Sequence, residues 1–268
     1  MSALPAVVAH RGASAAYPEN TLSAIRAAVS SGVDLVELDV QRSRDGALVV
    51  MHDRTLVRTT NVQTVFPTRA SWRLADFSYD ELMRLDAGSW KSQAFAGERV
   101  PTLEQAIDVL RESDTGLLLE LKAPELYPGI VTDVATTLRL MPMSKVVVQS
   151  FDVAAMKDHK TQLPDLPVGL LGAPPVANLP VLATWADQVN PNHLSVDHGY
   201  VERVQDLGME CLVWTVDRGM AMKRALGMGV DGVITNRPDD LAQLLARSGR
   251  PARTARSRGR RARWAVSP

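Results

Sequence analysis

Residues 35–53, LVELDVQRSRDGALVVMHD, bring Glu37, Asp39, His52 and Asp53 into a short span. VELDV alternates strictly: Val36, Leu38 and Val40 take one face of an extended segment, and Glu37 and Asp39 take the other. With water on one side, the two acids are a solvated edge. With both sides covered, they are interior carboxylates, costly unless paired, protonated or coordinating a cation. The chain then turns at Asp45-Gly46, a strong two-residue hairpin signal. With those two at the centre of the turn, paired positions sum to 91, so Arg44 faces Ala47 and Asp39 faces His52. The return strand then delivers an imidazole to the acid pair, unless a bulge shifts the register.

LLLELK (117–122) repeats the pattern, with Glu120 and Lys122 alternating against Leu119 and Leu121. AHRG closes its own apolar run on His10 and Arg11. Three carboxylates (Glu37, Asp39, Glu120), two histidines (His10, His52) and two cations (Arg11, Lys122) are thus carried at strand ends. Three oxygen donors suit a hard divalent cation such as Mg²⁺ or Ca²⁺. Arg and Lys beside such an ion point to an anionic substrate, most simply a phosphate. The two histidines suit acid and base roles. Each residue alone has a plainer reading, Glu120 with Lys122 as a salt bridge and either histidine as structural. Seven together at corresponding strand ends point to function.

The elements that would position them alternate β and α. Apolar strands are expected at 6–12, 35–40, 117–122, 146–151, 167–171, 193–197, 211–217 and 232–236. Helical spacing fills most gaps, as in ENTLSAIRAAVSSG (19–32), with Leu22, Ile25, Ala28 and Val29 on one face. TLEQAIDVLRES (102–113) opens with a Thr102/Gln105 capping box. Eight strands in this order imply parallel strands joined by right-handed crossovers. Their natural closure is a (β/α)8 TIM barrel. A doubly wound open sheet is the alternative, disfavoured because no G-x-G-x-x-G follows the first strand. In a barrel no strand face is solvated along its length, so Glu37 and Asp39 project inward at the end where barrel enzymes carry their sites. Residues 54–100 break the rhythm and are expected to form an inserted lobe over one end of the barrel.

The chain's 268 residues fit one barrel domain, 1–248, and 46% hydrophobic with 22% charged residues is ordinary for a soluble globular protein. The N-terminus has no basic segment leading into an apolar core, and no apolar run approaches the roughly 20 residues of a membrane span. The single cysteine, Cys211, excludes an internal disulfide framework, reads as a buried thiol and favours the cytoplasm. Of 30 basic and 30 acidic side chains, seven arginines lie in 249–268, leaving 23 basic against 30 acidic, near −7, for the body. That tail is expected to be disordered, with weak contact to anionic lipid or nucleic acid as one use and charge balance as the plainer one.

On these blocks the sequence resembles the glycerophosphodiester phosphodiesterase family over roughly residues 6–246: AHRGASAAYPENTLSAI, GVDLVELDVQRSRDGALVVMHDRTLVRTT, LDAGSW, VPTLEQAI, LLLELK, VQSFD, VWTVD and GVITNRPD follow in the family's order. The resemblance implies a metal-dependent barrel hydrolase that cleaves a glycerophosphodiester, its small-molecule substrate, to glycerol 3-phosphate and an alcohol, with Mg²⁺, Ca²⁺ or Mn²⁺ as cofactor. It implies Glu37, Asp39 and Glu120 as metal ligands, His10 and His52 as the acid/base pair, Arg11 and Lys122 on the phosphoryl oxygens, and Trp214 lining the substrate pocket. Asn20 and Gln149 fall in matched blocks with structural roles expected, Asn20 capping the first helix and Gln149 bridging strands. Asp217 stands where the family usually has Asn, adding negative charge near the barrel mouth with an effect on head-group preference expected. Two other functions fit the residues less fully: a phospholipase D-like hydrolase of lysophospholipids or sphingolipids, and a non-catalytic anion-binding module with a basic tail.

Overall fold

A computed structural model describes residues 4–247. The arginine-rich tail at 249–268 lies outside the described residues. Nine strands form one sheet: β1 (Ala6–His10), β2 (Leu35–Arg42), β3 (Leu48–Val50), β4 (Gly116–Leu121), β5 (Val146–Ser150), β6 (Val168–Leu171), β7 (Gln188–Asn190), β8 (Glu210–Val213) and β9 (Gly232–Thr235). Eight are parallel in the order β2-β4-β5-β6-β7-β8-β9-β1, and pairing of β1 with β2 closes the ring, giving a (β/α)8 TIM barrel. β3 stands outside the ring as the antiparallel partner of β2.

The alternation in the sequence sorts residues between two cores. Val7, Ala9, Val36, Leu38, Val40, Leu117 and Leu119 face outward and pack beneath the helices. Ala6, Val8, Leu35, Leu118, Val147, Leu212 and Ile234 form a separate apolar plug inside the barrel. His10, Glu37, Asp39, Glu120 and Gln149 lie two or four residues further along those same inward faces, so the polar groups stand directly above the plug. Register lines them up, with His10 beside Glu37, Asp39 beside Glu120, and Glu120 beside Gln149.

Local signals place the helices. Thr21 accepts from the Ala24 N–H and caps Leu22–Ser30, and Thr102 with Gln105 forms the expected capping box on Leu103–Arg111. Residues 54–100 gather Leu56, Val62, Leu74, Phe77, Leu82, Leu85 and Val100 into a smaller core with Val49 and Met51. This insertion reaches back to the loop after β1 through Lys91, whose Nζ donates to the Ser14 carbonyl at 2.8 Å, and through a Tyr17–Phe95 ring contact.

Two expectations are corrected. The strand expected at 193–197, where the chain turns and Leu194 is exposed, is instead β7, the three residues Gln188–Asn190. Two of those three are amides, so the strand carries no apolar alternation to read. The hairpin after β2 is also one residue longer in its loop. The Ser43 N–H donates to the Ala47 carbonyl at 2.9 Å, and Gly46 sits at φ +96°. This makes a three-residue connection with glycine in the left-handed position. Val40 therefore pairs with Val50, and the Met51 N–H donates to the Asp39 carbonyl at 2.9 Å. His52 lies one residue beyond Asp39's partner.

Candidate active site

The site is built from the ends of β1, β2 and β4 and the segment after β3. At the end of β1 the chain bends sharply, with Arg11 at φ 57° and Gly12 at φ +79°. A Cβ on Gly12 would stand 2.6 Å from the Ala24 backbone, so only glycine fits there. The bend turns the Arg11 N–H onto Glu37 Oε2 at 3.0 Å and its guanidinium onto Asp39, Nε to Oδ2, at 3.2 Å. From the other side Lys122 Nζ lies 2.7 Å from Glu120 Oε1 and 3.6 Å from Asp39 Oδ1.

Glu37, Asp39 and Glu120 are all buried, and each offers an oxygen within 4.8 Å of the others. Burial pushes the Glu37 carboxyl well up, and the charges of Asp39 and Glu120 push it further. Burial and Asp39 raise Glu120 to about 7. Burial also pushes Asp39 upward, but Arg11, His52, Lys122 and the Asn20 amide outweigh it and hold Asp39 below the ordinary range. Asp39 Oδ1 is nonetheless buried without a hydrogen-bond donor. Crowded oxygens that repel one another, one of them unpartnered, are a donor set that a hard divalent cation fits.

The two histidines flank this cluster with different partners. His10 Nδ1 lies 2.7 Å from Asn236 Oδ1, and its Nε2 is 3.9 Å from Glu37 Oε2. Burial and then the Arg11 charge lower His10 to about 4, so the ring is neutral at pH 7. His52 Nδ1 lies 2.6 Å from the Asp53 carboxylate, which is itself forked by Arg58, Nε to Oδ2 at 2.7 Å and NH2 to Oδ1 at 3.1 Å. Against the rise from burial, those Arg58 and His52 hydrogen bonds take Asp53 down to about 2. Arg58 also forks Glu19 at 2.7 and 2.8 Å, and Glu19 takes the Arg11 NH1 at 2.8 Å. A continuous chain of ion pairs therefore ties the loop carrying His52 to the bend carrying Arg11.

A cavity of about 220 Å³ opens above the cluster, lined by His10, Arg11, Glu37, His52, Glu120 and Lys122 and walled by Phe151, Leu171, Trp214 and Ile234. Trp214 stands edge-on to Phe151 and donates from Nε1 to the Asn190 carbonyl at 2.7 Å. Seven of the eight residues singled out in the sequence thus border one cavity. Asp39, fully buried, lies beneath it.

Other residues were assigned differently or not at all. Thr21, not Asn20, caps the first helix; Asn20 sits at φ 58° and donates from Nδ2 to Asp39 Oδ2 at 2.8 Å. Gln149 does bridge strands, accepting from Asn190 Nδ2 at 2.8 Å. Asp217 accepts at Oδ2 from Asn236 Nδ2 at 2.6 Å and at Oδ1 from the Asn236 N–H at 2.8 Å. Asp53 was legible as the neighbour of His52, whereas Glu19, Arg58 and Asn236 carry no local signal of their contacts.

Fold and site together define a barrel enzyme built to handle a phosphate ester beside a cluster of carboxylates. The model of the glycerophosphoryl diester phosphodiesterase family matches residues 10–240, and the chain belongs to that family. It is 36% identical to a glycerophosphodiester phosphodiesterase of Caldanaerobacter subterraneus subsp. tengcongensis over 91% of this chain and 98% of the relative. Among solved structures, an Oleispira antarctica phosphodiesterase in complex with the product sn-glycerol-3-phosphate superposes with a TM-score of 0.83 at 29% identity, over 91% of this chain and 97% of the other. A putative glycerophosphoryl diester phosphodiesterase of Silicibacter pomeroyi gives 0.81 at 28% identity, over 93% of this chain and 95% of the other.

Proposed function

We propose that this enzyme hydrolyses glycerophosphodiesters to glycerol 3-phosphate and an alcohol. The observation that carries the reading is one cavity bordered by two carboxylates of a buried triad, two cations and two histidines, with the third carboxylate, Asp39, beneath it. Glu37, Asp39 and Glu120 would hold Mg²⁺, Ca²⁺ or Mn²⁺. When bound, the ion supplies positive charge against the phosphoryl oxygens. Arg11 and Lys122 hold the same oxygens, lowering the charge that repels an incoming nucleophile. The neutral His10 ring takes a proton at Nε2 from the nucleophile, the glycerol 2-hydroxyl or a water. His52, its Nδ1 held by Asp53, gives a proton from Nε2 to the departing alkoxide. Trp214 and Phe151 pack the glycerol backbone. Phe151, Leu171, Trp214 and Ile234 wall this cavity of about 220 Å³, and a second of about 700 Å³ adjoins it at His52, Glu120, Lys122 and Phe151.

Glycerol 3-phosphate release from a panel of glycerophosphodiesters, with and without chelator, tests the reading. Turnover that stops with chelator and returns with a divalent cation is expected. His52→Ala should lower kcat by roughly 10²–10⁴. No product from any diester, or turnover indifferent to chelation, overturns it. Among the described residues no helix is long and apolar enough to cross a membrane.

A further inference from the structure

The contacts behind His10 run one residue deeper than the ring itself. β8 and β9 lie side by side, and the Val216 N–H donates to the Ile234 carbonyl at 3.0 Å, which brings the segments after the two strands together. Asp217 there meets Asn236 twice, at the side-chain Nδ2 (2.6 Å) and at the backbone N–H (2.8 Å). A carboxylate only accepts hydrogen bonds, so the end of the amide that faces it is the NH2. The opposite end, Oδ1, is then a carbonyl oxygen, and it faces His10 Nδ1 at 2.7 Å and Ser14 Oγ at 2.7 Å. A carbonyl cannot donate, so Nδ1 must carry a proton, and in the neutral ring Nε2 is left with the lone pair. Asp217 does not border the cavity.

We propose that Asp217 and Asn236 act as a tautomer-setting pair, positioning residues that fix His10 with its proton on Nδ1 and its lone pair on Nε2 facing the substrate. The inference rests on the reading of His10 as the base and adds the residues that make it one. His52 is held differently, with a carboxylate directly on Nδ1. Polarity along the Asp217–Asn236–His10 chain matters more than the identity of either member. Asp217→Asn puts an NH2 against a donor at one of its two contacts with Asn236, and the relaxed arrangement turns the Asn236 NH2 toward His10. Asn236→Asp sets two carboxylates against each other. Exchanging the pair, Asp217→Asn with Asn236→Asp, restores a donor to each acceptor and still presents an oxygen to Nδ1.

The test measures kcat and KM for the wild type, both single variants and the exchange, with ¹⁵N spectra of the His10 ring assigned by difference from His10→Gln. A wrong tautomer costs up to about 10⁴ in kcat in a serine-protease triad, so each single variant should lose at least ~10-fold in kcat with KM within ~2-fold. The exchange should recover most of that loss. The wild-type spectrum should show protonated Nδ1, as should that of the exchange, and the Asp217→Asn spectrum should not. Single variants with normal kcat, an exchange no better than either single variant, or an unaltered Asp217→Asn spectrum would each overturn the pair's role. The spectra do not depend on turnover. Should no diester prove to be a substrate, they still decide whether the pair sets the tautomer, and the proposed reaction fails separately.

Discussion

The barrel interior is polar on two sides, and the two sides solve burial differently. On β5 and β7, Gln149, Gln188 and Asn190 are essentially inaccessible to water. Asn190 donates to Gln149 at 2.8 Å and to Gln188 at 3.2 Å, accepts from the Leu212 N–H, and Gln188 passes a further bond to Glu210. Gly169 on β6 makes room for them, since a Cβ there would stand 2.8 Å from Asn190 Nδ2. On β2 and β4, Glu37, Asp39 and Glu120 are as deeply placed, yet Asp39 Oδ1 has no donor and two of the three carboxyls are driven up. An amide carries a donor and an acceptor and can close a network with its neighbours. A carboxylate only accepts, so three of them need more positive charge than Arg11 and Lys122 bring. A satisfied buried network serves stability; an unsatisfied one at a cavity is held ready for something else.

Glu37→Gln probes this contrast most sharply. Turnover should fall by roughly 10²–10³, the scale of losing one charge-stabilising group, while metal-free thermal stability holds or rises because a carboxyl that burial, Asp39 and Glu120 drive up has gone. A marked loss of stability in the metal-free protein would mean that the charged side is structural too. Next in size is Arg58→Lys, which keeps the charge but loses the fork that joins Asp53 to Glu19. A displaced His52 should cost about 10²-fold in kcat, and a normal kcat would reduce the ion-pair chain to surface decoration.

On the amide side the effect should appear in stability. Asn190→Ala leaves Gln149 short of its donor, and urea unfolding should register a loss of about 1–3 kcal/mol with kcat moving less than tenfold. A silent substitution would show that the amide network contributes little. The smallest effect at neutral pH belongs to His159, on the helix Val153–Gln162 that follows β5, buried with neither ring nitrogen hydrogen-bonded. Burial lowers it from 6.5 to about 4, so the folded state prefers the neutral ring. As pH falls from 6.5 toward 4 the unfolded chain takes up the proton first, and up to ~3 kcal/mol of stability is lost. His159→Leu should therefore flatten the fall in melting temperature across that window. An unchanged profile would place the acid sensitivity elsewhere.

The sequence alone determined the layering. Strict alternation in VELDV and LLLELK is local, because a strand's two faces follow from the backbone, and closure of eight β/α repeats leaves no solvated face for the acids. The Thr102 box is local in the same sense. Tertiary structure decided what depends on partners distant in the chain. The hairpin register shifted by one because a three-residue turn and the obvious two-residue one share the same Asp-Gly signal. The seventh strand escaped notice because its residues are chosen for one another across the barrel rather than for apolar burial. Asn20, Glu19, Arg58, Asp217 and Asn236 are polar residues in loops, and nothing near them in sequence says which atom they will meet. Only when β1, β2, β8 and β9 close into a ring does a hydrogen bond across 226 positions give His10 its partner.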